Sequence, residues 1–298
     1  MGRCYVLITP ARNEERFIEH TIRSVVSQTV RPAEWVIVSD RSTDRTDEIV
    51  NRYSREYGFI RLLRVDGDEQ RNFGSKALAF TKGYLALSHT GYEFIGNLDA
   101  DVTLGPDYYE DVICNFNSSP RLGIAGGIIL ELAGGRYEPQ NNSLDSVAGA
   151  IQLFRRDCFE EIGGYLPIST GGIDSAAEIS ARMHGWKVRT FEHLKVYHHR
   201  LVSSGRGSVA RSRFRHGITH YLLGYHPLFE LVKCAYRFTE RPFALGSTIT
   251  LAGFTWAAIM RYERPVSEEF VKYLRREQAG RASLGNIFKY RKRKARSS

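Results

Sequence analysis

The chain has 298 residues, 42 % of them hydrophobic and 25 % charged, enough to bury one large core or one core plus an appendage, and too apolar for a disordered chain. Its net charge of +9 invites a nucleic-acid reading, but six of the cations fall within residues 289–296, which leaves the remainder at +3: a basic tail on a near-ordinary body. Cys4, Cys114, Cys158 and Cys234 lie far apart, which excludes a zinc spacing or a paired framework, and the first apolar run, residues 5–9, is too short for a secretory signal. The expectation is a reducing, cytoplasmic setting.

In chain order, strands are expected over residues 4–9, 35–39, 60–65 and 94–98. Between them residues 14–29 place Phe17, Ile18, Ile22, Val25 and Val26 at helical spacing, with Asn13 in position to cap the start. Residues 43–57 repeat the pattern through Ile49, Val50 and Tyr53, and a third helix is expected over 75–88. Strand and helix alternate, which is how a parallel sheet covered by helices reads, and such sheets bind ligands beyond the carboxyl ends of their strands. PARNEE follows the first strand, SDRSTD the second, and LDAD closes the fourth, so all three loops should meet at one edge. There is no Gly-x-Gly-x-x-Gly after the first strand and no Gly-x-x-x-x-Gly-Lys-Ser/Thr, which argues against dinucleotide redox chemistry and P-loop hydrolysis.

NLDAD raises a physical question, because paired carboxylates at the end of an apolar run need compensation. A divalent cation supplies it, since hard ions prefer carboxylate oxygen and arrive with substrate phosphates. A calcium loop over residues 99–110 is disfavoured: Leu104 stands where that loop needs Gly. A solvated turn is the bland alternative.

Together ITPARNEE, VIVSDRSTDRT, NLDAD, LFRRDCFEEIGGY and GGIDSAAEISARMHGW resemble the nucleotide-sugar glycosyltransferases of the GT-A fold, in the inverting group called family 2, over residues 5–199. The resemblance implies an α/β fold with a mostly parallel sheet flanked by helices, a GT-A domain over 1–225 and a helical C-terminal extension over 226–298. It implies that Ala11, Arg12, Glu14 and Asp40 hold base and ribose, that Lys76 faces the diphosphate with Arg71 second, that Asp101 binds Mn²⁺ or Mg²⁺, and that Asp99 contacts the ribose or supports the metal. For Asp44 a capping role for the following helix is preferred. The partners implied are a nucleoside diphosphate sugar, expected to be UDP-linked, and a saccharide or lipid-linked acceptor. The chain departs from the family where Asp-Asp-Gly-Ser becomes Ser39-Asp40-Arg41-Ser42, and where the catalytic acidic pair becomes Ile173-Asp174.

Inverting transfer needs a base on the acceptor hydroxyl. Asp174, in TGGIDS at the start of a helix over 175–183, is the expected base, with Glu178 second and an N-cap as its bland role. YHHR follows the strand-like KVRTF and offers His198, narrowly ahead of His199, as a third metal ligand. The stretch from Arg200 to Gly217, with Arg206, Arg211, Arg213 and Arg215, reads either as a lid over the diphosphate or as a solvated basic loop leading into a helix. Residues 242–260 carry no charge, yet Ser247, Thr248, Thr250, Thr255 and two glycines make them a poor membrane span. With Phe243, Phe254, Trp256 and the basic tail, peripheral contact with an anionic membrane is the expectation. A retaining transferase would use the same Asp-x-Asp. A nucleic-acid module is the rival of another class, and no nucleic acid is expected, because the cations are not interleaved with aromatics.

Overall fold

Strand β1 (Tyr5–Ala11) is apolar at all but Thr9 because both its faces are covered: Tyr5, Val6, Leu7 and Ile8 expose no surface. In the computed structural model, which describes residues 4–66, 74–133, 135–140, 143–200, 209–236 and 245–282, β1 pairs in parallel with β2 (Glu34–Asp40) and β4 (Phe94–Asn97). Beyond β2 lies β3 (Ile60–Val65), also parallel. Helices α1 (Ile18–Val26), α2 (Thr46–Glu56) and α3 (Gly74–Leu85) alternate with these strands in the expected order. The first helix starts later than its periodicity suggests. Asn13 does not cap it; the residue sits at φ +56°, and its side-chain oxygen accepts the Thr43 amide at 2.8 Å.

After β4 the sheet changes character. Short β8 (Leu153–Arg155) runs antiparallel to both β4 and β6 (Leu122–Ala133), and β9 (Lys187–His198) returns parallel to β6. Strand β5 (Val102–Leu104) pairs antiparallel with the end of β9, and β7 (Arg136–Pro139) forms a hairpin on β6. The order is β3-β2-β1-β4-β8-β6-β9-β5, and parallel ladders hold most of the paired residues. Helices α4 (Tyr108–Ser118), α5 (Arg156–Glu161) and α6 (Ile173–Met183) complete this part. Phe80, Phe154, Phe159 and Tyr165 pack edge-on or tilted at its centre, with centroids 4.9–6.5 Å apart.

The chain divides into two compact units, Met1–Gly205 and Arg206–Ser298. The second holds α7 (Val209–Leu222), α8 (Pro227–Tyr236), α9 (Leu245–Ile259) and α10 (Glu268–Ala282), and the boundary expected at residue 225 falls between α7 and α8. Arg211, Arg213 and Arg215, read as loop residues, stand on α7 instead. Arg206, Arg71 and Phe243 lie outside the described residues. Helices α7 and α9 cross where Gly217 meets Gly253: a Cβ on Gly217 would lie 1.9 Å from the Thr250 carbonyl oxygen, and one on Gly253 2.0 Å from that of Phe214. Only glycine permits that approach. No helix among the described residues is long and apolar enough to cross a membrane.

Candidate active site

The loops after β1 and β2 are laced together. The Asn13 amide donates to Ser42 Oγ at 3.2 Å, the Glu14 amide to Thr46 Oγ1 at 2.8 Å, and the Glu15 amide to Asp44 Oδ2 at 3.1 Å. Asp44 also accepts the Thr46 amide at 3.0 Å at the start of α2, so it serves the helix end and the lacing. Burial acts to raise its carboxyl, and the hydrogen bonds from Thr46 and Glu15 outweigh it, holding it below its usual value.

At the mouth of β2, Asp40 is flanked by two guanidinium groups: Arg41 Nε at 2.9 Å and Arg12 Nη1 at 3.8 Å. Arg41 has φ +55°, a left-handed conformation that explains why a glycine suits this position in the resembled motif. Here an arginine accepts that backbone, and its side chain folds onto its neighbour's carboxylate. Ala11 is buried at the end of β1.

Asp99 and Asp101 follow β4, and they are not equivalent. Asp99 pairs with Lys76 Nζ at 2.5 Å and accepts from Asn97 Nδ2 at 3.3 Å, while its amide donates to the Ala150 carbonyl at 2.8 Å. Asp101 is only 8 % exposed. Its two oxygens face different partners: His198 Nε2 lies 3.3 Å from Oδ1, and Arg200 Nε lies 3.4 Å from Oδ2. The register explains this meeting, since His198, the last residue of β9, pairs across from Val102, and the His199 amide donates to the Asp101 carbonyl at 2.9 Å. His199 turns elsewhere, with Nε2 3.0 Å from the Thr103 hydroxyl and Nδ1 3.4 Å from the Tyr137 hydroxyl. Of the adjacent pair, His198 is the one beside the carboxylate.

The charges set one another's protonation. Burial acts to raise the Asp101 carboxyl, but His198, Arg200 and Lys76 outweigh it and hold it below its ordinary value. Burial alone would lower His198; Asp101, Asp99 and Glu131 hold it above its usual range instead. Glu14 is pushed up to about 7 by burial, against the pull of Arg200 and with Asp101 and Asp99 adding to the rise. Arg200 pairs with Glu14 as well as with Asp101, so one guanidinium bridges the first loop and the Asp-x-Asp turn. In the sequence Arg200 stands only at the head of an arginine-rich stretch; its place two residues past His198, which ends β9, is the signal that marks it.

Asp174 stands in the first turn of α6, after Gly171 at φ +101° and Gly172 at φ +81°, a backbone path that requires glycine. Its carboxylate accepts the adjacent Ser175 amide at 2.8 Å and packs on Gly149, where an added Cβ would lie 2.9 Å from Asp174 Oδ2. The Gly149 carbonyl in turn lies 3.5 Å from Lys76 Nζ and accepts from Asn97 Nδ2. One glycine, which drew no attention in the sequence, therefore separates Asp174 from the Lys76–Asp99 pair. Glu178 is committed to the scaffold: it is 4 % exposed, and its Oε1 accepts from the Val147 amide at 2.6 Å, Ser146 at 3.2 Å and Gln152 at 3.2 Å. Burial pushes it up to about 7. With no face left for an acceptor, it is a poor second base.

Among the described residues no three His, Cys, Asp or Glu side chains are gathered closely enough to hold a metal ion by themselves. Asp101 and His198 lie side by side and Asp99 is held by Lys76, so the three offer hard oxygen and imidazole donors without being gathered around one point. That fits an ion which takes its remaining ligands from phosphate and water, and does not fit a structural zinc.

The Glycosyl transferase family 2 profile matches residues 6–161, and the chain belongs to that family. Poly-beta-1,6-N-acetyl-D-glucosamine synthase from Staphylococcus epidermidis is 25 % identical over 227 residues, 68 % of this chain and 51 % of the synthase. The 4,4'-diaponeurosporenoate glycosyltransferase of Staphylococcus aureus is 31 % identical over 123 residues, 41 % of this chain and 30 % of that enzyme. The chain thus spans about half the length of the first relative and less of the second. Among solved structures, mannosyltransferase PcManGT from Pyrobaculum calidifontis, in complex with GDP-Man and Mn²⁺, superposes with a TM-score of 0.56 at 18 % identity, covering 96 % of this chain and 87 % of its own. S. aureus TarS in complex with UDP-GlcNAc gives 0.52 at 16 %, covering 91 % and 78 %. These likenesses carry the GT-A fold.

Proposed function

We propose that the chain transfers a sugar from a nucleoside diphosphate sugar, UDP-linked, to a hydroxyl of a saccharide or lipid-linked saccharide, with inversion and with Mn²⁺ or Mg²⁺. The observation that carries this reading is the convergence of Asp99, Asp101, His198 and Lys76 beyond the carboxyl end of β4, beside the laced loops of β1 and β2. Relatives described with UDP-GlcNAc, with GDP-Man and Mn²⁺, and as an N-acetylglucosamine polymer synthase support the substrate class.

In this reading Ala11, Arg12, Glu14 and Asp40 line the base and ribose site, where a carboxylate accepts from a base N–H or a ribose hydroxyl. Asp40 is already held by Arg12 and Arg41, so it meets the nucleotide in one orientation. Lys76 places its ammonium toward the diphosphate, supported by Asp99 and the Gly149 carbonyl. A divalent ion on Asp101, Asp99 and His198 would supply charge stabilisation for the departing diphosphate without proton transfer. Asp174 accepts the proton of the acceptor hydroxyl, contributing about 10²–10⁴-fold. A lipid-linked acceptor would also bring the chain against an anionic membrane surface.

Three measurements test the reading. UDP should raise the melting temperature more with Mn²⁺ than without it. The product should carry the anomeric configuration opposite to the donor; retention would replace the inverting reading. Nucleic-acid binding that is steeply salt-dependent and indifferent to Mn²⁺ and UDP would overturn the enzyme assignment for this site.

A further inference from the structure

Helix α9 spans 15 residues without one charge. A helix packed on one side of a water-soluble unit normally shows polar residues on the other. On α9 the positions at helical spacing on the outer face are Leu245, Ile249, Ala252, Trp256 and Ile259, followed by Met260 just past its end, and Ile259 is 70 % exposed. Thr248 and Thr255 lie to one side of this stripe. Phe254, expected among the outward aromatics, faces inward at 6 % exposure and packs edge-on against Tyr221 on α7. Helix α8, which packs against α9, repeats the pattern with Leu228, Leu231 and Val232, where Leu228 is 66 % exposed. Two neighbouring helices of one unit thus leave large apolar side chains in water.

We propose that this face of α8 and α9 rests on an anionic lipid bilayer and lies in the plane of its surface. This deepens the membrane contact proposed above and rests on none of the active-site roles. The occupant is argued from charge and composition. Residues 206–298 hold 19 Lys and Arg against 6 Asp and Glu, a net of +13 in a chain whose total is +9, so the other unit is net acidic and the positive field belongs to the unit with the apolar face. At the end of α9, exposed Trp256 and Tyr262 adjoin Arg261, the pairing of amphipathic rings and cations that suits the headgroup level. The helix is too short to cross the bilayer, while an apolar stripe of this length buries well at an interface. A face meant for a second protein copy would not need the surrounding field, because two such units at +13 each repel.

The test uses the full chain with phosphatidylcholine vesicles, with and without phosphatidylglycerol, read by co-sedimentation and by tryptophan emission. Trp35 is buried and Trp186 half-buried, so a blue shift on vesicle addition that Trp256→Phe removes reports the face itself. The triple variant Leu231→Gln, Trp256→Gln, Ile259→Gln changes only exposed positions and should fold with unchanged circular dichroism. Expected is binding to the phosphatidylglycerol vesicles that the triple variant weakens at least about tenfold. If wild type and triple variant bind equally, the face is not the contact, though a membrane contact through other cations stands. If neither binds either vesicle, both the face and the peripheral reading fall. If the wild type is a dimer in solution and the triple variant a monomer, the face is a protein interface and the proposal is overturned.

Discussion

Asp174 and Asp101 carry opposite expectations although both are acidic residues at the proposed site. Asp101→Asn should abolish the Mn²⁺-dependent part of the UDP-induced rise in melting temperature, because it is the most buried carboxylate of the donor set and both its oxygens are engaged. Asp174→Asn should leave that rise intact and lower kcat about 10²–10⁴-fold. Normal turnover by Asp174→Asn would remove the base from the mechanism. Gly149→Ala should lower kcat, since its Cβ would press on the Asp174 carboxylate. Glu178 gives a pH dependence. Its carboxyl is raised in the folded chain to about 7, so its contribution to stability is full below the ordinary carboxylate value near 4.5 and is lost as pH rises through about 7. The metal-free wild type should therefore lose melting temperature across that window more steeply than Glu178→Gln; parallel slopes would show that Glu178 is ionised at no cost. The acidic residues themselves were legible in the sequence. Which of the two adjacent histidines faces Asp101 was not, because that is set by the register of β9 on β5.

At the scale of elements, the first four strands could be read because each is a short apolar run closed by polar loops, and their helices show one apolar face. Strand β6 was invisible for a physical reason. Its run LGIAGGIILELA carries Gly126 and Gly127, which read as a turn, yet Gly127 is there because a Cβ would lie 2.2 Å from the Leu194 carbonyl oxygen of β9. Strand β9 is legible only at KVRTF, since the consecutive exposed Glu192 and His193 and a register shift against β6 interrupt its alternation in the middle. Helix α7 was missed at its start because five arginines between 200 and 215 suggested a loop. The α7–α9 crossing makes its own prediction. Gly217→Ala forces a methyl into the Thr250 carbonyl and should destabilise the chain by at least about 1–3 kcal/mol in urea unfolding; a neutral result would mean the helices can separate freely.

For the whole molecule, the resemblance to family 2 was legible over residues 5–199, whereas the packing of the C-terminal helices was not, because α9 carries no charge on any side and periodicity cannot choose a face. Charge asymmetry between the two units adds a measurable consequence: vesicle association should fall steeply as salt rises, while the UDP-induced thermal shift, which depends on buried groups, should fall much less. The guanidinium of Arg200 bears on the molecule's durability. Because it already balances Asp101 and Glu14, these carboxylates have a counter-ion within the chain itself, and folding needs no metal to neutralise them. Chelation with EDTA should thus leave the nucleotide-free melting temperature unchanged, unlike that of a zinc finger, and a large drop would mean that the ion is architecture and not a reagent the protein borrows with each substrate.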